Sequence, residues 1–179
     1  MLIFDIETDG LLYNVTTIHC LVIYDTETNQ TMVFNAQAFD RATDQPAKEP
    51  ITRGIQLLMD ADCISGHNIL SYDIPVICKL YPWFERPTAI VDTLLLSRLY
   101  HANMIDLDKR HNWDGMPLKL YGRHSLESYG HRLKCLKGDY GKATDWKEWS
   151  AEMQDYCAND VKVTTKLWDH FLPYLSGSK

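Results

Sequence analysis

Three short acidic motifs, spread over almost the whole chain, constrain the fold more than any other feature of this sequence. They are Asp5-Ile6-Glu7, His67-Asn68-x-x-x-Tyr72-Asp73 and Tyr156-x-x-x-Asp160. Their four carboxylates can serve one site only if the fold brings distant segments together. A carboxylate cluster is stable only when cations neutralise it, and Mg²⁺ and Mn²⁺ prefer oxygen ligands. The motifs therefore predict a fold that converges on a divalent-metal site.

Each motif is expected on a strand or helix whose spacing brings its functional side chains together. Residues 1–6 have the pattern of a buried strand, and residues two apart on a strand point the same way. Asp5 and Glu7 therefore share one face if the strand reaches position 7. Tyr156 and Asp160 share one face because residues four apart on a helix are neighbours. Asp73 is expected near the start of its own helix.

The hydrophobic pattern predicts an alternation of strands and helices. Strands are expected at 1–6, 18–24, 31–34, 63–66 and 88–91, and helices at 51–59, 72–81, 93–100, 125–133 and 150–171, the last closed by Pro173. Residues 35–50 and 102–122 are expected to be loops. This order predicts an α/β fold, a ribonuclease H-like mixed β-sheet of about five strands flanked by helices. Residues 1–179 are expected to form a single domain.

The net charge of −6 speaks against a nucleic-acid partner, but its distribution reverses that argument. From Lys109 to Lys142, eight basic residues stand against three acidic ones, so this segment carries about +5 and the remainder about −11. A basic segment beside an acidic metal cluster suits a phosphodiester substrate, because the metal offsets the acids and the cations hold the backbone. The alternative is a solvated loop with incidental charge.

The start of the chain and its cysteines predict the cellular compartment of the protein. An acidic residue at position 5 excludes a secretory signal peptide, and no apolar run is long enough to span a bilayer. The five cysteines form no C-x-x-C pair, and their odd number argues against a closed set of disulfides. We therefore expect reduced thiols, no zinc site, no membrane contact and a cytoplasmic location, in the host cytoplasm if the chain is phage-encoded.

The motifs together resemble a known family. The stretches DIETDGL, GHNILSYD and YCAND, with DTLLLSRL at 92–99 and GRHSLESYGHRLKCLKGDY at 122–140, are similar to the proofreading 3′–5′ exonuclease domain of family-A DNA polymerases. The T-odd phage replicative type is the most similar. The resemblance covers nearly the whole chain. Tyrosine at position 156 places the chain in the tyrosine branch of the four-carboxylate exonuclease superfamily.

The resemblance implies a two-metal-ion enzyme that removes nucleoside 5′-monophosphates from single-stranded or frayed DNA 3′ ends, as proofreading in DNA replication. Asp5 would bridge two divalent ions, Mg²⁺ or Mn²⁺, about 4 Å apart. Glu7 and Asp160 would complete the first ion's site, and Asp73 would hold the second ion. Tyr156 would orient the attacking water.

Five further residues are expected to contact the substrate. Leu11 would wedge against the terminal base, although packing after a turn also explains it. Tyr140 would stack on a base if its register is right, and stacking holds a strand without reading sequence. His67, Asn68 and Arg123 complete the set. Asp92 is expected to be structural or supporting. The tryptophans at 113, 146 and 149 are expected to anchor loops.

Two alternatives to this function stay open, and the partner is undecided between two forms. An RNA 3′–5′ exonuclease of the same fold would carry the same tyrosine motif. A non-catalytic nucleic-acid-binding module would keep the fold but not need the intact carboxylates. The expected partners are a single-stranded DNA 3′ end and either a separate DNA polymerase subunit or the polymerase domain from which this chain was cut.

Overall fold

The structure is a computed structural model that describes residues 1–35, 39–40, 45–46, 50–135 and 146–178. Within these ranges its strands are β1 (Leu2–Thr8), β2 (Ile18–Asp25), β3 (Gln30–Asn35), β4 (Phe39–Asp40), β5 (Gln45–Pro46), β6 (Cys63–Gly66) and β7 (Ala89–Asp92). The helices of the same ranges are α1 (Ile51–Asp60), α2 (Asp73–Leu80), α3 (Thr93–Tyr100), α4 (Met104–His111), α5 (Leu126–Arg132) and α6 (Ala151–Leu175), with a 3₁₀ turn at Leu118–Leu120.

Five strands form one mixed sheet in the order β3-β2-β1-β6-β7. Strands β1, β2 and β3 are antiparallel neighbours, whereas β6 and β7 run parallel to β1. A longer loop at 9–17 joins β1 to β2 and a short turn joins β2 to β3, while helical crossovers bring β6 and β7 back in parallel. The predicted α/β fold with a ribonuclease H-like mixed sheet is confirmed.

The two faces of β1 enter different cores because side chains alternate along a strand. Phe4 and Ile6 point to one face, where they pack with α1 and α2. Ile3 points to the other face, where it packs against Met153 and Val161 of α6. Asp5 and Glu7 share the parity of Ile3, so the fold directs both carboxylates towards α6. Strand β1 continues to Thr8 and so includes Glu7, as the shared face of Asp5 and Glu7 requires.

The segment 102–122 is not all loop, as the sequence had led us to expect. Helix α4 begins at Met104 and ends at His111, and Asn112 closes it in the left-handed conformation with φ 51°. The apolar pattern of this helix is weak, since Met104 and Asp108 are its buried side chains. The signal for it lay in its ends instead: Asp106 in the first turn, three basic residues in the last turn and the asparagine cap.

The last helix also departs from expectation, because Pro173 lies inside it and the helix ends at Leu175. A proline removes one backbone N–H, and in a final exposed turn that loss is small. The turn is closed by Ser176 N, which donates to the carbonyl of Leu172 at 3.0 Å. Residues 35–50, expected as loop, contain the two-residue strands β4 and β5, which pair with each other.

Candidate active site

The first motif lies at the carboxyl end of the central strand. The side chains of Asp5 and Glu7 are partly buried and project on the face covered by α6. Ligand atoms of Asp5, Glu7 and Cys157 lie within 4.8 Å of one another. Two carboxylates at this separation repel each other unless a cation sits between them. Their oxygens suit a hard divalent ion.

Asp73, at the start of α2, lies beside the same end of β1, at the edge where β6 has already ended. The β1–β6 ladder pairs Leu2 with Ile64 and Ile3 with Ser65, and β6 ends at Gly66, so β1 runs on beyond its partner. The backbone N–H of Ile6 donates instead to Asp73 Oδ1, at 3.3 Å. The early end of β6 therefore makes room for the first residue of α2.

Burial dominates the electrostatics of Asp73, whose side chain is 4% exposed. Loss of hydration, together with the charges of Asp92 and Asp160, raises the pKa of this carboxyl to about 7, although its own N–H and the N–H of Ile6 oppose the rise. A carboxyl in this state binds a cation with release of a proton near neutral pH.

Gly66 permits the close approach that this arrangement needs. A Cβ at this position would lie 2.7 Å from the carbonyl oxygen of Phe4 and 2.3 Å from Ile69 Cγ2. The backbone oxygen cannot move without disturbing β1, so a larger residue would push the end of β6 away. The glycine thus fixes where His67 and Asn68 leave the sheet.

The third motif faces β1 from α6. Asp160 is buried and Tyr156 is half-buried, one helical turn apart as predicted. The ring of Tyr156 meets that of Trp146 edge to face, with ring centroids 6.2 Å apart. Trp146 also belongs to the apolar cluster beneath α6, and its carbonyl oxygen lies 3.0 Å from His19 Nε2. This packing holds the tyrosine ring in one orientation.

These elements enclose a cavity of about 570 Å³. Its walls bring together all five residues predicted for catalysis and three of the five predicted for substrate contact: Asp5, Glu7, Asp73, Tyr156, Asp160, His67, Asn68 and Arg123. The sequence did not identify several other wall residues, among them Arg98, His124, Ser125 and Trp146. Arg98 and Arg123 are exposed at this wall, so the cavity carries carboxylates and cations together.

The loop that carries the second motif is held by Asp92. Its carboxylate accepts from the backbone N–H of Asn68 at 2.9 Å and of Leu70 at 3.1 Å, and it caps α3 by accepting from Leu94 N at 2.9 Å. Asn68 has φ 66°, a left-handed conformation that asparagine tolerates. Asp92 therefore supports the site without lining the cavity, as we expected.

Two histidines on the cavity wall are oriented by hydroxyl groups. His67 Nδ1 lies 2.9 Å from Thr93 Oγ1, whose hydroxyl donates to the carbonyl of Gly66 at 3.1 Å. His124 Nδ1 lies 2.5 Å from Ser97 Oγ. Burial lowers the pKa of His124, and the positive charges of Arg132 and Arg98 lower it further, so His124 is neutral near pH 7.

One predicted substrate residue does not line this cavity, and another lies outside the described residues. Leu11 lies in the loop after β1 and is 61% exposed, beside the exposed side chains of Leu12 and Tyr13. It does not line the cavity. Tyr140 lies outside the described residues, as do Lys137 and Lys142 of the basic segment. All five cysteines lie within the described residues, and each is a free thiol there.

Comparison with known proteins identifies relatives over nearly the whole chain. The model of the RNase H superfamily matches residues 2–172. The chain is 33% identical to the DNA-directed DNA polymerase of Escherichia phage T7, over 96% of its own length and 26% of the polymerase. The resemblance drawn from the motifs is therefore confirmed, and the chain spans about a quarter of this relative.

Solved structures share the fold at low identity. A nuclease in its apo form superposes with a TM-score of 0.63 at 18% identity, over 94% of this chain and 69% of that one. The zinc-bound complex of E. coli ExoI with single-stranded DNA gives a TM-score of 0.54 at 18% identity, over 99% of this chain and 42% of that one. Among the described residues, no helix is both long and apolar enough to cross a membrane.

Proposed function

This chain belongs to the RNase H superfamily, and we propose that it is a divalent-metal-dependent 3′–5′ exonuclease that acts on single-stranded or frayed DNA ends. The observation that carries the proposal is the convergence of four carboxylates and Tyr156, from three distant segments, on one cavity. The relationship to a phage DNA polymerase supports DNA as the substrate and proofreading as the role.

The donor set fits Mg²⁺ or Mn²⁺. Asp5 and Glu7 offer oxygens within 4.8 Å of each other, and Asp73 and Asp160 line the same cavity. We propose that Asp5, Glu7 and Asp160 hold one ion and that Asp73, with Asp5, holds a second. Bound ions of this kind supply electrostatic stabilisation of the charge that develops on a phosphoryl group during in-line displacement.

The remaining steps fall to the protein's own side chains. Tyr156 is held by Trp146, so its hydroxyl can accept or donate a hydrogen bond at a fixed point and orient a water for attack. Arg98 and Arg123 line the same cavity and can hold the phosphates of the strand. A cavity of about 570 Å³ suits one or two unpaired nucleotides rather than a duplex. A mispaired end frays at a lower energetic cost and is therefore removed faster.

Digestion of a single-stranded DNA oligonucleotide labelled at its 5′ end tests this function. With Mg²⁺ or Mn²⁺ we expect a ladder that shortens from the 3′ end, and with a chelator we expect none. The Asp5→Ala/Glu7→Ala double variant is expected to reduce cleavage more than about a thousandfold, because the ion-binding oxygens are gone. Asp169→Ala, an exposed acid on the same helix as Asp160, is the matched control and should cleave normally.

A folded double variant that cleaves at the wild-type rate would remove the assignment of these carboxylates. An RNA oligonucleotide of the same sequence is digested in parallel. Stronger cleavage of RNA than of DNA would replace the proposed function with that of an RNA exonuclease, and folded protein that binds but does not cleave either strand would indicate a binding module.

The role of Tyr156 is tested with Tyr156→Phe. This change keeps the ring against Trp146 and removes the hydroxyl, so cleavage should slow by about tenfold to a hundredfold while Mn²⁺ affinity stays unchanged. Single-turnover cleavage and Mn²⁺ titration measure the two effects separately. A wild-type rate would show that another group orients the water.

A further inference from the structure

The buried thiol of Cys157 contacts the carboxylate on which the proposed metal site depends. Cys157 Sγ lies 3.5 Å from Asp5 Oδ2 and 3.3 Å from the carbonyl oxygen of the same residue. These atoms are 152 residues apart in the chain and meet because α6 packs on β1. The side chain of Cys157 is 0% exposed, so it reaches the site from beneath, through the packed interface.

The hydrogen-bonding capacity of a thiol determines which of these two oxygens Cys157 contacts as a donor. A thiol has a single hydrogen to donate, and an ionised carboxylate is a stronger acceptor than a backbone carbonyl. The carboxylate of Asp5 is therefore the acceptor to which we assign the S–H of Cys157.

From this geometry we propose that Cys157 is a positioning residue for Asp5. Its S–H would hold Oδ2, so that the carboxylate keeps one orientation in which to bind the proposed ions. The inference rests on the proposed metal-dependent function, in which Asp5 is the ligand shared by both ions. Groups that hydrogen-bond to a metal ligand set its orientation, and their removal weakens metal binding by about tenfold to a hundredfold. Since a thiol is a weak donor, we place its effect at the low end of that range.

The test compares Cys157→Ala with Cys157→Ser. Alanine removes the donor, whereas serine keeps a donor of similar size. Val161→Ala is the packing control, because Val161 is buried one turn further along α6 against the same face of the sheet. Mn²⁺ binding to each protein is measured without DNA by electron paramagnetic resonance, and thermal unfolding is measured in the presence of chelator.

We expect Cys157→Ala to weaken Mn²⁺ binding by about tenfold and Cys157→Ser to stay within about threefold of the wild type. Val161→Ala should lower the unfolding temperature and leave Mn²⁺ binding unchanged. Wild-type Mn²⁺ affinity in Cys157→Ala would overturn the proposal. An equal loss of affinity in Val161→Ala would also overturn it, since packing alone would then explain the effect.

Because binding is read without substrate, this result is separate from the proposed function. Wild-type protein that binds Mn²⁺ but cleaves no DNA would overturn the exonuclease and leave the role of Cys157 to be decided by the binding series. Wild-type protein that cleaves DNA while Cys157→Ala binds Mn²⁺ normally would overturn only the role of the thiol.

Discussion

Two buried aspartates in this protein have opposite environments. Asp73 is 4% exposed in the candidate active site, where burial and the charges of Asp92 and Asp160 raise its pKa to about 7. Asp108 is 0% exposed in α4, where burial would raise its pKa but Arg132, Gly122 and Trp113 lower it below its usual value. Burial alone therefore does not determine the charge of a carboxyl; its partners do.

The environment of Asp108 is complete within the protein. Its carboxylate accepts from Arg132 Nε at 2.9 Å and Arg132 Nη2 at 2.7 Å, and also from Trp113 Nε1 at 2.9 Å and Gly122 N at 2.7 Å. The same guanidinium donates from Nη2 to the carbonyl of Arg123 at 2.8 Å. This network fixes the segment that presents Arg123 and His124 to the cavity, whereas we propose that the carboxylates around Asp73 bind a cation.

The largest effect is expected from breaking the network around Asp108. Asp108→Ala should lower the free energy of unfolding by about 3–5 kcal/mol, because it leaves the buried Arg132 without its counter-charge. Urea unfolding at pH 7 measures the loss. Arg132→Met should cost a similar amount, while the double variant should cost less than the sum. Additive losses would show that the two side chains do not act as a pair.

The second-largest effect is expected at Asp73, where the substitution should raise the free energy of unfolding rather than lower it. Asp73→Asn should stabilise the metal-free protein at pH 8 by about 2–4 kcal/mol, since a carboxyl pKa raised by about three units opposes ionisation in the folded state at about 1.4 kcal/mol per unit. Below pH 4 the carboxyl is protonated in both the folded and the unfolded state, and the stability present there is lost as the pH rises from about 4 through 7. At pH 4 the variant and the wild type should therefore unfold alike.

Thermal unfolding in chelator across pH 4–8 measures the effect of Asp73→Asn. A stability difference that does not change with pH would mean that Asp73 is already ionised and paired. Added Mn²⁺ should stabilise the wild type more than the variant, because the variant lacks the Asp73 carboxylate that is proposed to hold the second ion.

The smallest effect is expected at Asp92, which lies between the two cases. Its carboxylate is held by three backbone N–H groups rather than by a guanidinium or an ion. Asp92→Ala should cost about 1–2 kcal/mol, as for loss of a helix cap, and Asp92→Asn should cost less because one oxygen remains. Chemical denaturation measures both. A loss as large as that of Asp108→Ala would show that the loop at 68–70 contributes more to the fold than its capping contacts indicate.

Much of the fold and most of the site could be predicted because their signals are local. The alternation in β1 places Asp5 and Glu7 on one face, and the four-residue spacing in α6 does the same for Tyr156 and Asp160. The roles proposed for these residues stay predictions, although the structure brings the side chains to one cavity. The wedge role of Leu11 also stays a prediction, and Tyr140 lies outside the described residues.

The errors and omissions have physical causes. Helix α4 was missed because its two buried positions, Met104 and Asp108, do not form an apolar stripe. Pro173 was taken as the end of α6, but a proline in an exposed last turn removes only one hydrogen bond. Arg98 and His124 were not identified as wall residues because no local sequence pattern around them indicates that they lie near the carboxylates.

The sequence by itself determined the five strands of the main sheet, most of the helices, their order and the identities of the converging acids, because period and spacing act within a few residues. Only the tertiary structure decided which side chains of distant elements touch. The contact of Cys157 with Asp5 spans 152 residues, and the pairing of Arg132 with Asp108 spans 24. Such contacts depend on how a helix packs on a strand or on another helix, and no periodicity within either element records that choice.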